Sequence, residues 1–241
     1  MLAVLSVEAR KLNRSLAVWL AVAAPALIAV FMFFNLLRGH APRPWAVWMQ
    51  ASTGVWAFFM LPMSVTALTA LVAHMEHGPR AWDHLRALPV ARWKIYAAKA
   101  LCVLGVVAAM SVLNLLLTWG AVRAAVAVKP VLAPTGAPDL AGQMALVGKV
   151  VAAATLLTAI QLWTALRYSS FVPALALGIG GTFFSVVATA AKPGVFFPWQ
   201  MPVNMLSSEP WRVSTALCLG GGLGTLALVL AVAHLARREV L

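Results

Sequence analysis

Residues His74–Lys99 read HMEHGPRAWDHLRALPVARWKIYAAK, the only long polar and charge-dense passage in a 241-residue chain that is otherwise dominated by apolar side chains. Within it Trp82, Leu85 and Leu88 recur every third residue, which predicts one face of a short helix, with Asp83 and Arg86 turned elsewhere. Gly78 and Pro79 open that helix and Pro89 closes it. A proline is tolerated in a first turn, where its missing N–H has no partner to lose, and it pushes the residue before it out of the helical region. The reading is a bounded amphipathic rod between two membrane spans, able to lie on lipid, pack on its own chain or dock into a partner.

Working outward, the composition explains why such a passage stands out. Apolar residues make up 63% of the chain and charged ones 10%, against about 45–50% and about 25% in ordinary globular domains. These values identify an integral membrane protein, all-α, with room for roughly six spans of about 20 residues and no sizeable soluble domain, so residues 1–241 are read as a single transmembrane domain. The formal charge of +12 comes from basic residues placed singly or in small groups at the ends of apolar runs. That pattern points to anionic lipid headgroups and away from nucleic acid. Cys102 and Cys218 fall inside apolar runs and read as small core residues, neither a disulfide nor a redox pair.

Along the chain, residues 1–15 carry Leu2, Leu5, Ala9, Leu12 and Leu16 on roughly one helical face with Glu8, Lys11 and Arg14 beside them, as in an interfacial helix lying along the membrane. Six apolar runs follow: Leu16–Leu37, Met49–Ala73, Ala97–Val122, Met144–Leu166, Ser169–Ala191 and Val213–His234. The first is expected to be an uncleaved span, because no polar flank follows its small residues. Residues 192–212 combine Pro193, Pro198, Pro202 and Pro210 with Phe196, Phe197, Trp199, Met201 and Trp211. Prolines break a helix and aromatic residues favour the interface, so this segment is expected to be broken, re-entrant-like and on the outer face, either capping a substrate exit or forming an interfacial loop. Gly220, Gly221, Gly222 and Gly224 in the last run permit close helix packing.

Lysine and arginine counts set the expected orientation. With the N-terminus inside, Arg10, Lys11, Arg14, Arg80, Arg86, Arg92, Lys94, Lys99, Arg167, Arg237 and Arg238 are cytoplasmic. Arg38, Arg43, Arg123, Lys129, Lys149, Lys192 and Arg212 are on the other side, Lys149 being assignable to either. The excess places both termini and the 74–99 loop in the cytoplasm.

No Asp, Glu, Lys or Arg is expected well inside a span, which disfavours a proton-driven carrier. The polar groups left in the spans include Asn114, Thr118, Gln161 and Ser185. Helix-to-helix hydrogen bonds account for them, with a substrate path as the second reading. No G-x-S-x-G elbow or H-E-x-x-H pair is present, and no catalytic residue is assigned. His74, Glu76, His77 and His84 form too thin a set for a metal site, and none is assigned. GQMALVGKV, beginning at Gly142, has five residues between its glycines and Val150 where a phosphate-binding loop needs Ser or Thr, so this chain is not expected to bind ATP through it.

Glu76, Trp82, Leu85, Leu88, Pro89, Arg92, Tyr96 and Lys99 together resemble the first cytoplasmic loop of ABC type-2 permeases, especially the lantibiotic-immunity and multidrug exporter group. The likeness extends to the amphipathic N-terminal helix, the six spans and the broken segment before the last one. It implies that the 74–99 loop is a coupling helix, that ATP and Mg bind to a separate ATPase subunit, and that two permease chains, identical or not, pair with two ATPase chains in the bacterial cytoplasmic membrane. Trp82, Leu85 and Leu88 would then enter a groove on the ATPase, Arg86 and Arg92 would meet its carboxylates, and Glu76 would meet a basic group or the N-terminal helix. Trp93, Lys94 and Tyr96 read instead as an aromatic and basic belt marking the cytoplasmic side. The implied cargo is amphipathic or hydrophobic, an antimicrobial peptide, drug or lipid, with copper-related or sodium export open. The rival reading is a membrane scaffold or assembly factor that transports nothing.

Overall fold

The structure is a computed structural model that describes residues 1–77, 89–189 and 191–237. Among these residues eight principal helices account for nearly all regular structure, and one isolated bridge, Pro44 to Thr135, is the sole strand-like pairing. They are α1 (Leu2–Asn13), α2 (Leu16–Leu37), α3 (Trp45–His77), α4 (Arg92–Val128), α5 (Leu140–Ala153), α6 (Thr155–Arg167), α7 (Val172–Ala188) and α8 (Pro210–Arg237).

Four of these are long and apolar enough to cross a membrane: α2, α3, α4 and α8. The single run expected over 144–166 is a pair, α5 and α6, bent by 40° at Ala154, and counts as a fifth span if taken together. The run expected over 169–191 is the 17-residue α7, at the lower limit of what crosses a hydrocarbon core of about 30 Å. Its first turn is set by Pro173 and its end by Ala188, so the apolar run is longer than the helix. Conversely α4, at 37 residues, extends to about 55 Å and outruns any bilayer core.

Local chemistry sets the helix breaks. Ser15 ends α1 and starts α2: its Oγ donates to the Leu12 carbonyl at 2.8 Å and accepts from the Ala17 N–H at 3.1 Å, as an N-cap serine does. In α3 the stretch Trp56–Met60 is a π-helical turn directly before Leu61–Pro62. Proline has no N–H and its ring clashes with the carbonyl four residues back, and the widened turn accommodates both. A second π-helical stretch, Cys218–Leu223, lies in α8. There a Cβ on Gly220 would strike the Ala153 backbone and one on Gly224 the Leu156 backbone. Those two glycines are the close-packing positions, whereas Gly222 has open space around it.

The helices surround a main core containing Trp56, Leu61, Val65, Val103, Leu157 and Met201, with two smaller clusters around Leu36 and Trp48 and around Met49 and Leu115. The proline-aromatic segment is broken as expected, into a 3-10 turn Lys192–Phe196 and a short turn Met201–Asn204. It is more deeply seated than an interfacial loop, since Val195, Trp199, Met201 and Met205 are all buried. Gln200 Nε2 pins it by donating to the Ser185 carbonyl and, at 2.7 Å, to Thr189 Oγ1. Cys102 is half-buried and Cys218 exposed, both as free thiols, so Cys218 belongs to the outer surface of the bundle and not to its core.

The helix ends sort the charges. Glu8 of α1 meets Lys99 of α4, Tyr168 and Ala165 at the end of α6 line the same small pocket as His74 and His77, and Trp163 of α6 meets His234 of α8. Arg10, Lys11, Arg14, Arg92, Lys94, Arg167 and Arg237 therefore gather at one end of the bundle. At the opposite end Lys129 donates to the Gly39 carbonyl at 3.0 Å and Arg43 lies near the Trp48 ring.

Candidate functional site

Glu76 is the penultimate residue of α3, on one side of residues 78–88, and Lys99 lies two turns into α4 on the other. The structure joins both residues to α1. Glu76 Oε1 accepts from Lys11 Nζ at 2.8 Å and from Lys99 Nζ at 2.6 Å. Glu8 divides its carboxylate, Oε1 to Lys11 at 3.2 Å and Oε2 to Lys99 at 2.6 Å. The four charges close a ring that is neutral overall.

Why these side chains meet follows from helical spacing. Glu8 and Lys11 are three residues apart on α1 and project from one face. Glu76 is in the last turn of α3 and Lys99 two turns into α4, so α1 lies across the point where α3 and α4 converge. Burial makes the arrangement tight: the Lys99 side chain is 0% exposed and that of Glu76 2%, while Lys11 keeps 32%. An isolated charge at such a depth is prohibitively costly, and pairing is what permits it: Glu76 Oε1 accepts from both lysines and Glu8 uses both of its oxygens. For Lys11, burial by itself pulls the ammonium pKa down. The Glu76 hydrogen bond and the charges of Glu8 and Glu76 outweigh that pull and leave it raised above the ordinary 10.5.

This ring adds to one sequence expectation and corrects another. The ionisable groups of the ring are buried in protein at the loop end of the bundle, Lys99 two turns into α4, and not at the middle of a span. Tyr96, expected in an exposed belt, is buried one turn before Lys99, whereas Trp93 is half exposed as a belt residue would be. The N-terminal helix also differs in detail. It buries Glu8 and Leu12 against the bundle and leaves Leu2, Ala9 and Leu16 outward, since the ion ring decides which face turns in.

Of the residues assigned to coupling, Trp82, Leu85, Arg86 and Leu88 lie outside the described residues, as does His84. Arg92 is exposed as the first residue of α4, and Glu76 is fully engaged in the ring. Among the described residues no three His, Cys, Asp or Glu side chains come together as metal ligands would.

The four residues considered for a substrate path fall into separate groups. Asn114 and Thr118 of α4 face α3, where Asn114 Nδ2 donates to Ser52 Oγ at 3.2 Å and Ser52 Oγ lies 2.6 Å from Thr118 Oγ1. One turn further on, Trp56 Nε1 donates to Ser111 Oγ at 3.0 Å. Gln161 lies between α3, α6 and α7: its amide donates to the Ala174 carbonyl at 3.2 Å and accepts from the Gly178 N–H at 3.0 Å. Ser185 donates to Thr182 O at 2.7 Å beneath the Gln200 pin. The first two groups tie helices together, the role expected first for polar residues in spans, whereas the Ser185 hydroxyl bonds within α7 and its carbonyl holds the segment that follows.

Sequence reasoning passed over Glu8 and Lys99 as partners, and it passed over Ser52 and Gln200. One signal was available. Glu8 and Glu76 are two of only six acidic residues in the chain, and each lies on a largely apolar helix.

Residues 4–188, more than three quarters of the chain, match a family model described as ABC-2 family transporter protein. No curated protein and no solved structure matches the chain.

Proposed function

We propose, on the premise that the chain belongs to the ABC-2 transporter family and is thus a multi-pass membrane subunit of an ABC transporter, that it serves an ATP-driven exporter. In this reading a separate ATPase subunit docks on the 74–99 loop. Trp82, Leu85 and Leu88 supply the apolar anchors, and Arg86 and Arg92 the charged rim. ATP and Mg reside on that partner, two copies of which face two permease chains. The loop end of the bundle, where the basic residues gather, is cytoplasmic in a bacterial inner membrane. The cargo is amphipathic or hydrophobic, of the kind that antimicrobial peptides, drugs and lipids represent. A six-span topology follows if the bent pair α5–α6 and the short α7 each cross.

The observation that carries this reading is the ion ring. The two helices that flank the 78–88 connection are bound through Glu76 and Lys99 to each other and to α1. A push on the loop is thereby delivered to α1, α3 and α4 as one body, the rigid-body movement a nucleotide-driven partner requires. Glu76 accordingly acts in coupling from inside the permease, with α1 as its partner, and does not touch the ATPase.

The test is affinity purification in mild detergent of the wild-type chain beside Trp82→Ala/Leu85→Ala, reading subunit composition and ATP hydrolysis from each. A nucleotide-hydrolysing subunit that accompanies the wild type and is lost from the double variant is the expected result. No such subunit with either form would refute coupling through this loop and favour a non-transporting scaffold.

A further inference from the structure

The outer surface of the bundle carries an open groove between α6 and α8, lined by Ala159, Ile160, Trp163, Ala227, Leu230 and His234. Its volume, ≈ 490 Å³, is within the range of about 300–1,000 Å³ that holds an organic ligand. The two helices run in the same direction. Gly220 and Gly224 lie against Ala153 and Leu156 at the far end, and the Trp163 and His234 rings meet edge-on, 6.0 Å between centroids, at the loop end. The backbones are in contact where glycine permits it. The groove runs from there toward the loop end, where the small alanines of both helices leave room between them.

Two basic residues follow the loop-end rings of the groove without lining it. Arg167 follows Trp163 by four residues and Arg237 follows His234 by three, so each basic side chain lies one turn beyond the ring on the same helical face. Arg167 is half-buried with its guanidinium 5.3 Å from the Tyr168 ring, and Arg237 is exposed. Neither has a carboxylate partner among the described residues. An apolar trough ending in an imidazole, with two arginines one turn beyond it that have no carboxylate partner among the described residues, is complementary to one kind of molecule present throughout a bilayer.

We propose that this groove is a binding site for an anionic glycerophospholipid, its acyl chain along Ala159, Ala227 and Ala231 and its phosphate between Arg167, His234 and Arg237. Basic pockets between membrane helices at the cytoplasmic level bind such headgroups, and each basic residue adds an attraction felt only near the surface. The site is independent of the 74–99 loop and of what that loop contacts. It would hold a structural lipid against α8, the least covered of the four long spans.

The experiment uses the full chain, delipidated in detergent and supplied with dioleoylphosphatidylglycerol or dioleoylphosphatidylcholine, with bound lipid counted by native mass spectrometry and oligomeric state read from the same spectra. The wild type should retain phosphatidylglycerol in preference to phosphatidylcholine. Arg167→Gln/Arg237→Gln should weaken that retention on the order of 30-fold. Ala227→Leu/Ala231→Leu, which fills the trough and keeps every charge, should abolish it. Equal retention of both lipids by the wild type overturns the proposal, as does unchanged phosphatidylglycerol in the filled variant. A filled variant that loses a second copy of the chain and keeps its lipid would assign the groove to a permease–permease contact instead.

Discussion

Lys99→Met removes the one fully buried cation of the ion ring and keeps the length and apolar stem of the side chain. Glu8 and Glu76 are then left with Lys11 alone, and a neutral set of four becomes a set of three with net charge −1. Removing one partner of a buried pair costs about 3–5 kcal/mol, most of it the cost of the charge left behind. For a chain of this size each kcal/mol moves the unfolding midpoint by about 2–4 °C, so the variant should melt on the order of 10 °C below the wild type. Intrinsic fluorescence in a fixed detergent, the chain having ten tryptophans, follows the transition. The compensated variant Lys99→Met/Glu8→Gln leaves Lys11 with Glu76, neutral again, and should recover at least half of the loss. Lys11→Met, where a third of the side chain is exposed, should cost clearly less than Lys99→Met because water can reach the carboxylates. If the two lysine variants melt together, or if neutralising Glu8 deepens the loss instead of relieving it, the ring is not the electrostatic unit described.

Alkaline titration probes the same ring from its exposed side. The Lys11 pKa is raised on folding, so its contribution is fully present below the ordinary value of 10.5 and is lost as pH rises through the higher folded value. Thermal stability should therefore fall in that alkaline window, and Lys11→Met should flatten the fall. Gly220→Leu should destabilise by about 1–3 kcal/mol because its side chain meets the Ala153 backbone, while Gly222→Leu, in the same π-helical stretch with open space, should melt like the wild type. Gln200→Leu removes one buried and one part-buried hydrogen bond and should cost on the order of 1–3 kcal/mol. Faster hydrogen exchange at Val195 and Trp199 than at core positions of α4 would show that the pin had been lost.

The apolar runs, the breaks between them, the polar passage at 74–99 and the bias of positive charge were all readable without coordinates. They depend on hydrocarbon partitioning and helix stop signals, which act residue by residue. Ser15 as a helix boundary and the proline-broken segment before α8 are of this kind. The family was legible as a resemblance of the 76–99 loop residues to ABC type-2 permeases, and the match over residues 4–188 shows it. Tertiary structure alone decided three things. The bend at Ala154 is where Gly220 and Gly224 of α8 meet the backbones of Ala153 and Leu156, a contact between distant segments. The depth of the 192–209 segment depends on Gln200 finding Ser185 and Thr189. The ion ring depends on residues up to 91 positions apart converging. A lysine near the start of an apolar run looks the same in sequence whether it marks a membrane surface or fills a buried pair. Only the position of Glu8 on a helix laid across α4 distinguishes the two, and long-range Coulomb pairing in a dry interior has no local signature.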